Sequence, residues 1–295
     1  MLIPLPMWLP EGPGCANPSA ANGPGGGYFG FGTPGNVTNP DLNNGLGTFP
    51  NLNPEASSRY NALLVSVSRR FAQNLEMTAS YNWSRCIDNG GYLGSFNAAS
   101  TAEFTDPYNT NTDKAVCSFD QTHVFKLNGL YALPFHGNRL VEGWQFTGIL
   151  TANSGLPVNI SDGYDEATGG STVALVPRPN YVSGCQQIVG KVDEWFNPGC
   201  YSLEAPGTLG NLGRNTVRGP GFKDFDFALL KDTKLREALN LQFRAEFFNI
   251  FNIDNYGLPN NTLYLGGGGP NLPAGQITSE AGKPRQIQFA LKLIF

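Results

Sequence analysis

The chain has 295 residues and a formal net charge of −4. Because the balance is acidic and no basic cluster occurs, we expect no nucleic-acid partner. Only 14% of residues are Asp, Glu, Lys or Arg, against roughly 25% in soluble domains, and no apolar run approaches the ~20 residues of a spanning helix. These features are typical of a membrane β-barrel or of a loop-rich secreted β protein.

The first 57 residues are dominated by Gly, Pro and Asn. This composition predicts an irregular extracellular loop remnant over residues 1–57. The opening segment, MLIPLPMWLPEGPG, has no Lys or Arg before its apolar stretch and contains prolines within it, so it does not resemble a secretory signal.

Alternating apolar and polar residues predict seven strands of membrane-spanning length in residues 58–295. They cover residues 59–71, 75–84, 123–133, 144–153, 222–231, 239–251 and 284–295. The second is the most regular, with an apolar residue at every odd position from Leu75 to Trp83, whereas Ile149 breaks the alternation in the fourth.

The connections between these strands alternate in length. Those at 72–74, 134–143 and 232–238 are short, and those at 85–122, 154–221 and 252–283 run for tens of residues. This pattern predicts an all-β, antiparallel, up-and-down transmembrane β-barrel segment in the cell outer membrane, with short periplasmic turns and long extracellular loops. Since seven is odd and below the minimum of about eight strands, we expect an incomplete barrel.

Several segments resemble a known family: YNALLVSVSRRF, MTASYNWSRCID, GPGFKDFDFALLK, LNLQFRAEFFNIFN and the terminal QFALKLIF. They are similar to the C-terminal barrel of TonB-dependent receptor-like proteins that carry an N-terminal carboxypeptidase-regulatory-like domain. The resemblance implies a plugged barrel of about 22 strands that takes up bulky nutrients with energy from TonB. Because plug, TonB box, regulatory domain and signal are not recognised here, it implies a C-terminal fragment, from a truncated gene or a partial gene model, that does not transport alone.

The expected partners are outer-membrane lipid, the barrel assembly machinery, the TonB system through N-terminal regions, and an extracellular ligand that the sequence does not identify. An alternative hypothesis is a secreted or surface β protein with a structural or adhesive role. The two differ in what covers the apolar stripes, such as Leu241, Phe243 and Phe247 in the sixth strand: lipid in the first and a protein core in the second.

Four charged residues are expected on the lumen face of neighbouring strands, namely Asp224, Asp226, Arg244 and Glu246. Two carboxylates beside an Arg could serve as acid and base, but lumen faces are polar by rule. We therefore predict a charge network that fills the lumen. Since no nucleophile, metal-ligand spacing or nucleotide motif accompanies it, we expect no enzyme and no cofactor.

Four of the five cysteines bracket predicted loops. Cys86 and Cys117 enclose the first long loop, Cys185 and Cys200 lie in the second, and Cys15 is left over. Export past the inner membrane favours disulfides, so we predict a Cys86–Cys117 pair and a Cys185–Cys200 pair.

The last strand places Phe289, Leu291, Leu293 and Phe295 on one face. We expect these residues to form a C-terminal assembly signal that is read by the barrel assembly machinery. In the second long loop, the acidic run that begins at Asp162 lacks the ligand pattern of an EF-hand, which predicts a solvated loop.

Overall fold

The computed structural model describes residues 56–89, 109–163, 178–237, 239–265 and 268–295. Within these residues the chain is all-β, and its sheets consist of antiparallel strands. Seven long strands form the main sheet: β1 (Ser58–Ala72), β2 (Leu75–Asp88), β4 (His123–Ala132), β5 (Trp144–Asn153), β10 (Phe222–Arg236), β11 (Leu239–Phe248) and β12 (Gln286–Ile294).

The long strands pair in chain order, β1-β2-β4-β5-β10-β11-β12, as an up-and-down meander. Among the described residues, β1 and β12 each pair on one side only, so the sheet is an open barrel segment. The predicted fold class is thereby confirmed, and strand β5 has the bounds that alternation predicts.

Three predicted strand ends are wrong by three residues or more. Strand β2 continues to Asp88 and β10 to Arg236, because continuous pairing with their neighbours carries both past the point where alternation is clear. Strand β11 ends at Phe248, because Asn249 takes a left-handed conformation with φ 46° and turns the chain.

The short turns lie at one end of the sheet. Between β1 and β2, Gln73 and Asn74 have φ values of 51° and 63°. Two successive residues with positive φ are the signature of a tight hairpin turn whose twist matches that of the flanking strands. We assign this end to the periplasm, as the short turns of outer-membrane barrels lie there.

The register confirms the predicted faces of the sheet. Leu63 lies opposite Trp83, and Phe243 lies opposite both Lys231 and Leu291, so the apolar stripes form one continuous outer face. Ile149, the exception in the sequence pattern, lies opposite Asn128 and Asp226 on the lumen face. Nothing in the described part of the chain covers the outer face as a second sheet would.

The three long connections lie together at the opposite, extracellular end. We call them loop 1 (residues 89–122), loop 2 (154–221) and loop 3 (249–285), and their described parts together the loop layer. Short strands organise this layer: β3 (Ala115–Val116) on β2, β6 (Pro157–Val158) paired with β9 (Val217–Arg218), and β7 (Asn180–Tyr181) paired with β8 (Tyr201–Ser202).

Candidate functional site

The lumen face carries a groove with a volume of about 450 Å³ that crosses five strands, from β2 to β11. Apolar residues such as Ile149 and Phe248 contribute to its lining, and its polar lining residues are Glu76, Thr78, Asn128, Thr147, Asp226, Arg244 and Glu246. These residues occupy the polar positions of their strands, which is why they converge on the concave side of one curved sheet.

Two of the four predicted lumen charges pair with each other. Arg244 Nη2 donates to Glu246 Oε1 over 2.6 Å, and Gln288 Nε2 donates to Glu246 Oε2 over 2.6 Å. The result is a short polar ladder across β11 and β12. Because the Arg244 side chain is 45% exposed, this ion pair contributes about 0–1 kcal/mol to stability.

The other two charges lie on the same lumen face but apart from this ladder. Asp226 Oδ1 accepts a hydrogen bond from the Asn249 amide over 2.9 Å and fixes the turn after β11. Asp224 lies two residues before Asp226 on the same face of β10, opposite Thr151 of β5. The register explains the separation: Arg244 lies opposite Leu230, about 13 Å along β10 from Asp226 at 3.3 Å per residue.

The loop layer contains both disulfides that the cysteine positions predict. Cys86 is bonded to Cys117 across the base of loop 1, with a Cα–Cα distance of 5.3 Å. Cys185 is bonded to Cys200 within loop 2, with a Cα–Cα distance of 5.4 Å. On the chain-entropy account, closing loop 1 in this way stabilises the fold by about 3–4 kcal/mol. Cys15 lies outside the described residues.

Three Arg–Asp pairs join loop 2 to the base of loop 1. Arg178 Nη1 lies 2.6 Å from Asp113 Oδ1, and Arg218 Nη2 lies 2.6 Å from Asp120 Oδ2. The third pair joins Arg214 to Asp88 at the end of β2. All three carboxylates are largely buried, so each pair must stay intact to offset the cost of removing charge from water. We name these three pairs the arginine clamp.

The clamp also holds the backbone near the first disulfide. Asp120 Oδ1 accepts a hydrogen bond from the Cys86 amide over 2.8 Å, and Arg218 Nη1 donates to the Asp120 carbonyl over 2.9 Å. The Arg214 Nε group donates to the Asp113 carbonyl over 3.0 Å. Disulfide and clamp therefore fix the same turn of loop 1 against β2.

Loops 2 and 3 enclose the buried apolar core of the layer. Its buried members are Val158, Ile160, Phe196, Cys200, Tyr201, Leu212, Val217, Leu263 and Ala274. The Trp195 amide donates to the Gly275 carbonyl over 2.7 Å, and the Ile277 amide donates to Val192 over 2.9 Å. The described parts of loops 2 and 3 thus form a packed layer with its own core.

A pair of buried acids lies inside this layer. Asp162 and Glu204 are 5% and 3% exposed, and their side chains lie within hydrogen-bonding reach of each other. Two ionised carboxylates have no proton to share, so a bond between them requires one protonated partner. Burial, with the charge of Glu204 adding to it, raises the pKa of Asp162 to about 9. The expectation of a solvated loop at Asp162 is therefore wrong.

The C-terminal strand presents its apolar residues outward. Phe289, Leu291, Leu293 and Phe295 are between 56% and 98% exposed on the face that continues the outer stripes. This placement agrees with the predicted lipid contact, while the role of these residues as an assembly signal stays a prediction.

These features define a class: an antiparallel meander with an apolar outside, a polar inside and long loops gathered at one end is a bacterial outer-membrane β-barrel. A family model described as an outer membrane beta barrel domain matches residues 12–288. The chain belongs to this family and is located in the outer membrane, which excludes the alternative of a secreted protein without a membrane span. No curated protein and no solved structure matches the chain. No described helix is long and apolar enough to cross a membrane.

Proposed function

We propose that the chain is the C-terminal barrel portion of a TonB-dependent outer-membrane receptor that takes up an extracellular ligand. The observation that carries this proposal is the loop layer, whose core and two disulfides hold a shaped surface over the extracellular end. A barrel whose loops serve only as connections gains nothing from ordering so many residues, since each ordered residue costs about 1–2 kcal/mol of backbone entropy. A receptor gains affinity, because a preorganised surface loses less entropy when ligand binds.

The lumen groove below the loop layer supports the same proposal. It combines apolar residues with a few converging polar and charged side chains, as surfaces that bind a ligand commonly do. We propose that the open sheet is completed by further strands and that this portion does not transport alone, because unpaired strand edges in lipid cost several kcal/mol per unsatisfied group. Neither an enzymatic activity nor a cofactor belongs to the proposal.

Gene deletions in the native bacterium test the proposal. Deleting the gene and, in a second strain, deleting the TonB energy-coupling protein should abolish growth on the same nutrient when it is supplied at low concentration. Growth of both strains should return when the nutrient is abundant, because diffusion then replaces active uptake. A nutrient lost only in the first strain contradicts TonB dependence, and no lost nutrient contradicts a role in uptake.

A double variant connects the test to the loop layer. Replacing Cys185 and Cys200 together by Ser removes the bridge within loop 2 and changes no strand residue. We expect this variant to assemble in the outer membrane and to require a higher nutrient concentration for growth. Replacing the exposed Gln186 by Ser between the same cysteines is the matched control.

A further inference from the structure

The charged side chains of the long strands are divided between the two faces of the sheet. Every acidic residue of these strands lies on the lumen face: Glu76, Asp88, Asp224, Asp226, Asp232 and Glu246. Near the extracellular ends, the charges on the outer face are basic. They are Arg59 on β1, Arg85 on β2 and Lys223 on β10, and all three are exposed.

A cation on the lipid-facing surface of a barrel is costly unless its charge reaches water or a counter-charge. Toward the periplasmic end, the outward cations have protein partners. Arg69 donates to the Ala72 carbonyl over 3.2 Å, and Lys231 Nζ lies 5.2 Å from the Trp144 ring centre. In the described residues, by contrast, the side chains of Arg59, Arg85 and Lys223 form no hydrogen bond or ion pair.

In the described chain, the acids nearest to the extracellular end of β2 are already paired. Asp88 and Asp120 at the top of β2 and β4 bind Arg214 and Arg218 of the arginine clamp, on the lumen side. The loop arginines thus neutralise these two carboxylates, and the described part of the chain offers Arg59 and Arg85 no ion-pair partner.

Arg59 and Arg85 lie side by side. Arg59 is opposite Ile87, and Arg85 is opposite Asn61, so the two arginines are diagonal neighbours on one face. Diagonal neighbours in an antiparallel pair have Cα atoms about 7–8 Å apart, which lets two guanidinium groups share one phosphate or bind two adjacent ones. Immediately toward the membrane centre follow Leu63 and Trp83, 53% and 55% exposed and opposite each other.

We propose that the Arg59–Arg85 pair, with Lys223 farther round the barrel, binds the phosphorylated headgroup of an outer-leaflet glycolipid. Phosphate oxygens accept bidentate hydrogen bonds from the arginines, and the acyl chains of the same lipid pack on Leu63 and Trp83. Along β1 and β2, the arginines lie nearer the membrane surface, and Leu63 and Trp83 lie nearer its centre. A lipid has its headgroup and acyl chains in the same order. This inference depends on the outer-membrane location and not on the proposed transport.

The test measures lipid binding to the full-length chain, extracted from outer membranes in an uncharged detergent. The probe is bis-phosphorylated lipid A, titrated and quantified by native mass spectrometry, with the dephosphorylated lipid as the chemical control. A cation near an anionic lipid surface strengthens binding about fivefold. The double variant R59Q/R85Q should therefore bind the probe about 25-fold more weakly than the unaltered chain.

Arg69→Gln is the matched control, because it removes an outward arginine of the same strand at the opposite end; its affinity should stay within about twofold. Equal affinity of the R59Q/R85Q variant and the unaltered chain would overturn the proposal. Equal affinity for the dephosphorylated lipid would show that only the apolar surface binds, which also overturns it.

A second measurement keeps the proposal testable if the double variant does not assemble. Binding of the probe to the unaltered chain should weaken as sodium chloride rises from 50 to about 500 mM, since salt screens exposed charges. R59K/R85K, which keeps both charges, should retain binding better than R59Q/R85Q. Salt-independent binding of the phosphorylated probe would refute an electrostatic headgroup site.

Discussion

Breaking one pair of the arginine clamp should loosen the loop layer and leave the barrel intact. Arg178→Met removes the cation from Asp113, and both side chains are almost fully buried, at 3% and 0% exposure. Removing one partner of a buried ion pair costs about 3–5 kcal/mol, because the remaining charge is left in a poorly solvating site. The same substitution at Arg244, whose pair with Glu246 is exposed, should cost about 0–1 kcal/mol.

Hydrogen–deuterium exchange of the chain in outer-membrane vesicles measures this difference. The relevant amides are those of Cys117 and Leu212 in the loop layer, which donate to the carbonyls of Cys86 in β2 and of Pro179 in loop 2. If they exchange through opening of the layer, Arg178→Met should accelerate exchange about 10²- to 10⁴-fold. Amides within the main sheet should keep their protection.

The control and a double variant decide whether the reasoning is right. Arg244→Met should leave loop-layer exchange nearly unchanged. Combining Arg178→Met with Asp113→Leu should recover much of the lost protection, since no unpaired charge then remains in the interior. Equal acceleration by Arg178→Met and Arg244→Met would refute the claim that burial gives the clamp its strength.

Three further outcomes are expected. Phe289→Arg puts a charge on the lipid face at a cost of ~2–4 kcal/mol near the bilayer midplane and should reduce the folded, heat-modifiable species on an unboiled detergent gel, whereas Gln288→Ser on the lumen face should not; equal assembly would show that the faces are misassigned. Mass spectrometry of non-reduced peptides should recover Cys86 linked to Cys117, and alkylation of both without reductant would contradict the bridge. Because the folded-state pKa of Asp162 is raised to about 9 from 3.8, its contribution to stability is fully present below pH 4 and is lost as pH rises toward 9. Loop-layer exchange should therefore accelerate between pH 5 and 9 after correction for the intrinsic rate, and Asp162→Asn should flatten that trend; an unchanged trend would refute it.

The main sheet could be predicted because its information is local. A half-buried strand repeats every two residues, so a segment such as β2 shows its two faces without reference to the rest of the chain. The regular spacing of short and long connections adds the meander topology. The strand ends were harder, because they depend on whether a neighbour is present to pair with, as at Arg236, or on a turn conformation, as at Asn249.

The loop layer could not be predicted, because its contacts are distant in sequence and have no period. Arg178 bonds to Asp113 across 65 positions, and Arg214 bonds to Asp88 across 126. Leu212 is an isolated apolar residue between glycines and polar residues, yet it is buried in the core of the layer. Of the contacts in the loop layer, only the disulfides could be predicted from the sequence, because cysteines that bracket an exported loop have few possible partners.

The barrel itself explains how so small a loop core can be stable. Each long loop begins and ends on neighbouring strands of one sheet, as loop 1 does on β2 and β4, so the strands have already brought its ends together. Bringing the ends of a free chain together costs entropy that grows with the logarithm of the chain length. Strand pairing in the membrane has already met this cost for each long loop. The core, the disulfides and the arginine clamp then need to offset only the remaining local entropy. Loosening the loop layer should consequently weaken ligand capture before it affects assembly of the barrel, and the Arg178→Met variant separates the two.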